Sequence, residues 1–135
     1  MASESDTEPD IDALVADLKD DNGNVRQKAC RALSRMGPAA VPTLVSLLGD
    51  ENGPTRTSAM NALLTMRDPA EEAAPALIDS LDHDSDAIRD SAIWTLTVIG
   101  KAAEPILHEA LHASNGRMED GIERALAGIA ARADG

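Results

Sequence analysis

Leucines recur along this chain in a fixed rhythm. Leu14, Leu44, Leu77 and Leu107 are spaced by 30, 33 and 30 residues, and each has a second leucine four positions on, at Leu18, Leu48, Leu81 and Leu111. Segments aligned on these leucines agree at further positions. Ala29, Ala59 and Ala92 coincide, with Ile122 fourth, as do Leu33, Leu63, Leu96 and Leu126. Met36, Met66, Ile99 and Ile129 form another matching column. A period of this size marks stacked structural repeats. The second repeat carries a three-residue insertion within RDPAEEAAP.

Each repeat reads as two helices. The first places apolar residues at i, i+1 and i+4, as in Leu14, Val15 and Leu18. Pro42, Pro75 and Pro105 fall in its first turn, where a missing N–H is tolerated. After a short polar loop, Asn22, Asn52, Ser85 and Asn115 occupy one equivalent position, each suited to cap the second helix. That helix puts Val25, Ala29, Ala32, Leu33 and Met36 on one face. Gly37 and Gly100 then stand where C′ glycines end helices. The pattern predicts an all-α solenoid of four helix pairs.

The segments DDNGNVRQKACRALSRMGPAAVPTL and DHDSDAIRDSAIWTLTVIGKAAEPIL carry the pattern most fully. They resemble the short HEAT repeat, of the kind first noted in phycobilisome lyases, over residues 11 to about 132. The resemblance implies a right-handed α-solenoid of four HEAT-like helix pairs, at about 10–37, 38–67, 68–100 and 101–135. An acidic, flexible arm at residues 1–9 is expected to precede this repeat domain, 10–135. In that family an Asp and an Arg stack in a ladder. The resemblance implies this for Asp20 or Asp21 with Arg26, for Asp50 or Glu51 with Arg56, and for Asp84 with Arg89. The last repeat departs most, with Glu119 for Arg and with Gly121 and Gly128 inside its helix. Each such glycine costs about 1 kcal/mol, a burden that suits a terminal cap.

Composition narrows the function. The chain has 135 residues, one Trp and no Phe or Tyr, so the core must be aliphatic. Its net charge of −12 works against nucleic-acid and anionic-membrane binding. Residues 1–21 hold eight acidic residues and one lysine. Cys30, alone, excludes an internal disulfide and fits a reducing cytoplasm; its place beside Ala29 predicts a small core or near-core residue. No apolar run reaches membrane-spanning length. Asp outnumbers Glu 15 to 9 and Arg outnumbers Lys 9 to 3, a balance that fits a halophilic source or a GC-rich genome.

One stretch spells an enzyme. HEALH, His108 to His112, matches the H-E-x-x-H pattern in which two imidazoles bind zinc beside a glutamate base. In register it is only the first helix of the fourth repeat, with Leu111 its core leucine, His108 partly buried and His112 near the helix C-terminus. No H-x-x-G-x-x-H extension follows. HEALH is therefore read as fortuitous, with His108 and His112 weak metal candidates, no catalytic residue and no cofactor.

The second helices also offer a binding stripe. Positions three, six and ten after the Val25-type residue are expected to be exposed. They are Lys28, Arg31 and Arg35; Ser58, Asn61 and Thr65; Ser91, Trp94 and Val98; and Gly121, Arg124 and Gly128. The stripe holds no acid in a chain with 24, and it holds the only Trp. Large aromatic residues in such places are frequent binding anchors. The expectation is a monomeric, cytoplasmic, non-enzymatic interaction module, docking an acidic helix or loop of a protein partner on its concave face. The resemblance leaves two alternatives, a subunit of a lyase or cofactor-attachment enzyme and a nucleic-acid-binding HEAT protein. Residues 1–9 are read as a solvated arm, or else as one that masks the basic end at Lys28, Arg31 and Arg35.

Overall fold

A computed structural model describes residues 10–134. The acidic arm expected at residues 1–9 lies outside the described residues. Four first helices, α1 (Ile11–Leu18), α3 (Val41–Leu47), α6 (Ala74–Asp79) and α8 (Glu104–His112), alternate with four longer second helices. These are α2 (Gly23–Met36), α4 (Gly53–Leu64), α7 (Asp86–Ile99) and α9 (Gly116–Asp134). The insertion in the second repeat folds as a short extra helix, α5 (Pro69–Glu72). Asp68 accepts the Glu71 N–H at its start, and Glu72 accepts the Asp68 N–H in return, a reciprocal cap. Among the described residues there is no strand.

The helices start and stop where local chemistry requires. Asn22, Asn52 and Ser85 each accept a backbone N–H of the helix that follows. Gly37 at φ 67° and Gly100 at φ 81° end α2 and α7 in the left-handed region that favours glycine. In both places a 3-10 turn then leads into the next first helix, whose early proline fits the geometry.

The repeats stack with α2 on α4, α4 on α7 and α7 on α9, and with α3 on α6 and α6 on α8. The aligned columns are the core. Leu18, Leu48 and Leu81, with Leu33, Leu63 and Leu96, are fully or almost fully buried, and Ala29, Ala59, Ala92 and Ile122 lie between them. Burying one such leucine contributes about 1.5–3 kcal/mol. At the two ends of the described stack, Leu14, Leu111 and Leu126 are only half-buried.

The Asp–Arg ladder has a different chemistry from the one expected. Arg26 donates to the backbone carbonyls of Asp20 and Asp21 at 2.8 and 2.9 Å. Arg56 does the same to Asp50 and Glu51 at 2.5 and 3.1 Å, and Arg89 to His83 at 2.5 Å. The guanidinium thus satisfies loop carbonyls. The side chains of Asp20, Asp50 and His83 instead accept the backbone N–H two residues on, tightening the loop. Arg89 also pairs with Asp86, not with Asp84. In the fourth repeat Arg117 reaches back to the preceding loop, meeting Asp82 at 3.0 Å and Asp84 at 2.8 Å.

The glycines of α9 answer to close packing rather than to the end of the stack. A Cβ on Gly121 would stand 3.2 Å from Leu81, and one on Gly128 would stand 2.9 Å from the Thr97 side chain. Here α9 lies so close to the preceding repeat that a side chain at Gly128 would clash with Thr97 and one at Gly121 would press on Leu81.

Two outcomes follow. Gly128→Ala is expected to lower stability by about 1–3 kcal/mol through overpacking, against the gain of about 1 kcal/mol that helix propensity alone predicts. Urea unfolding reads the sign, and a gain would refute the close approach. The hydrogen bond and charge of Arg117 hold the Asp84 carboxyl below its ordinary value of 3.8. A depressed carboxyl stabilises the fold above that ordinary value and stops doing so as pH falls through its folded-state value. Asp84→Asn is therefore expected to lower the melting temperature at pH 7, with a penalty that shrinks on acidification below 3.8; a constant penalty would refute the pairing.

Candidate functional site

Packing divides each second helix into sides. The position of Lys28, Ser58, Ser91 and Gly121 faces the preceding repeat. Ser91 donates to the Leu48 carbonyl at 3.2 Å, the Ser58 carbonyl accepts from the Cys30 thiol at 3.3 Å, and Gly121 lies against Leu81. The position of Arg35, Thr65, Val98 and Gly128 lies on the same side. The Thr65 hydroxyl donates to that of Ser34 at 3.2 Å, and Gly128 meets Thr97. Ser58, Ser91 and Val98 are accordingly half-buried and Gly121 is buried, which corrects the expectation of an exposed trio in every repeat. Lys28 and Arg35 are exposed because no described repeat packs on that side of α2; Thr65 also keeps an exposed edge.

Only the middle position is exposed in all four repeats: Arg31, Asn61, Trp94 and Arg124. Trp94 is the one large hydrophobic residue exposed among the described residues, at 48%. The Arg132 guanidinium lies over its ring, 5.4 Å from the centroid, a contact worth about 0.5–1 kcal/mol at such a site. Arg132 was missed from the sequence because it follows the last aligned column and has no counterpart in other repeats. A second exposed row, Gln27, Thr57, Asp90 and Asp120, was missed as well. It lies four residues before the middle row, hence on the same face. Its two acids lie in the later repeats, and Asp120 pairs with Arg124 at 3.0 Å. The face is thus acid-free only in its first half.

That first half contains a groove of about 1000 Å³ between α2 and α4, extending to Ser91 of α7. Cys30 and Met60 supply its apolar patches, and Gln27, Thr57 and Asn61 its amides and hydroxyl. Burial pushes the Cys30 thiol above its ordinary value, and the nearby Arg31 offsets this in part. The thiol is therefore a poor nucleophile at neutral pH.

HEALH lies on α8, with both His108 and His112 exposed. The partly buried place expected of His108 is corrected: its equivalents Val15, Val45 and Ile78 are at least partly covered, but His108, in the last described repeat, is exposed. Among the described residues no group of three or more His, Cys, Asp or Glu side chains stands where it could hold a metal ion. Among them, too, no helix is long and apolar enough to cross a membrane. Two imidazoles four residues apart offer a bidentate but incomplete site. Protein purified without a His tag is expected to carry far less than one zinc per chain, all of it removed by EDTA. Stoichiometric zinc that resists chelation would overturn this reading.

A comparison with curated proteins finds no match. Two crystal structures of engineered proteins from the Northeast Structural Genomics Consortium are similar to this chain at 20% and 22% identity, with TM-scores of 0.37 and 0.36. They match 90% and 91% of this chain, which spans only 62% and 64% of theirs. The family model for HEAT repeats matches residues 11–97, covering the first three helix pairs up to the last turn of α7. With the helix pairs, the aligned leucine columns and this match together, the chain belongs to the HEAT-repeat family.

Proposed function

We propose that this chain is a non-catalytic protein-interaction module that docks a partner helix or loop, bearing acid, on the face lined by its second helices. Trp94 carries the proposal. It is a large apolar ring left at 48% exposure in a chain whose other large apolar side chains are mostly packed away. It stands in the exposed row with Arg31 and Asn61, beside a groove that a partner segment could enter. A tryptophan ring has few rotatable bonds, so it loses little entropy as an anchor for an apolar contact, and the Arg132 guanidinium lies over it. HEAT solenoids present such helix rows as extended binding surfaces.

Trp94→Ala is the test, by pull-down from native lysate at native ionic strength. The variant is expected to retain less than about a tenth of specific partner recovery, the loss typical of a hot-spot residue. Its melting temperature should fall by only a few degrees, because the ring is half in water. A large stability loss with unchanged recovery would assign Trp94 to packing and end the proposal.

A further inference from the structure

Fourteen residues line the groove between α2 and α4, and none is Asp or Glu, although the chain carries 24 of them and a net charge of −12. Three are arginines: Arg26, Arg31 and Arg56. Arg26 and Arg56 bond to neutral backbone carbonyls. Among the described residues none of the three is paired with a carboxylate. The later repeats are opposite in kind. There Arg89 pairs with Asp86, Arg117 with Asp82 and Asp84, and Arg124 with Asp120. The cations of this face are therefore compensated at one end and uncompensated at the other.

Arg31 is the focus of the uncompensated end. Lys28 and Arg35 stand three before and four after it on α2, close enough for their fields to add. The loop acids Asp20, Asp21, Asp50 and Glu51 precede α2 and α4, so they flank the end of the groove near Arg26 and Arg56. An anion is thus favoured about one and a half turns further along α2, at Arg31. Amides and a hydroxyl at Gln27, Asn61 and Thr57 stand beside it, and Cys30 and Met60 supply apolar floor.

We infer that this groove seats an extended acidic segment of a partner protein, with a carboxylate on Arg31 and the chain running across Asn61 toward Trp94. The inference rests on the interaction-module reading and names the partner chemistry of its first half. Neighbouring helices stand about 8–10 Å apart, so Arg31 and Trp94 are separated by two such spacings, about 20 Å. Six extended residues cover that span at about 3.3 Å each. A guanidinium that keeps no carboxylate of its own is free to bind one in the bidentate geometry.

Fluorescein-labelled hexaglutamate is the probe, read by polarisation with the full chain at low and moderate salt. Saturable binding is expected, weakened at least tenfold by Arg31→Glu, less than twofold by Arg124→Glu, and progressively by added salt. Arg31 is exposed, so the variant should fold, and its circular dichroism and melting temperature serve as the check. No binding, or equal losses from Arg31→Glu and Arg124→Glu, would overturn the inference. Binding that tightens several-fold when residues 1–9 are deleted would overturn it too, by giving the groove to the chain's own acidic segment. If hexaglutamate fails while partner recovery still depends on Trp94, the groove assignment falls and the interaction module stands.

Discussion

Second helix against second helix is the contact on which this protein depends. A single helix pair has no interior. Its Leu33-type and Ala29-type residues leave water only when the neighbouring repeat closes over them, so each repeat owes its core to the one beside it. Small residues in the Ala29 column allow the helices to approach closely; at Gly128 the approach leaves no room for a methyl group unless Thr97 shifts, and at Gly121 a methyl would press on Leu81. This stacking divides the circumference of every second helix. One side meets the preceding repeat, one meets the following repeat, one meets the partner helix, and a narrow strip is left for solvent.

Polar chemistry is subordinate to that stacking. The loops between paired helices turn sharply and leave carbonyls that no helix can satisfy. Arg26, Arg56 and Arg89 each reach back to bond them, while Asp20, Asp50 or His83 ties down an N–H on the same loop. Such bonds organise a turn that would otherwise be open. Arg117 does related work between repeats, spanning from the last helix to the loop that precedes α7, at Asp82 and Asp84. Much of the positive charge of the chain is thus committed to its architecture, and what remains uncommitted stands out.

The uncommitted charge is concentrated at the first repeat for a geometric reason. Lys28 and Arg35 occupy positions that in later repeats are filled by Ser58, Thr65, Ser91, Val98, Gly121 and Gly128, all small or β-branched. A long cationic side chain would not fit between two repeats, whereas the first repeat has open space there. Among the described residues no repeat packs on this side of α2, which leaves room for the long side chains of Lys28 and Arg35 on either side of Arg31. Only Arg31 among the three lines the groove.

The sequence by itself determined the repeat period, the helix pairs, their caps and the leucine and alanine columns of the core. These follow from local rules: periodicity, proline and glycine geometry, and the preference of Asn and Ser for helix starts. Its register also placed HEALH on an ordinary first helix, at Glu104–His112. Tertiary structure alone decided which of three adjacent helix positions faces water, since all three lie within one arc of an isolated helix. It decided that the ladder arginines reach back to loop carbonyls, with Arg89 alone of the three also meeting a carboxylate, at Asp86, because side-chain reach depends on how the loop is folded. It brought Arg132 over Trp94 across helices 38 residues apart in the chain, a meeting that no periodic pattern encodes. It also brought Asp120 to Arg124 while, among the described residues, pairing Arg31 with no carboxylate, and so gave the two ends of one stripe opposite characters.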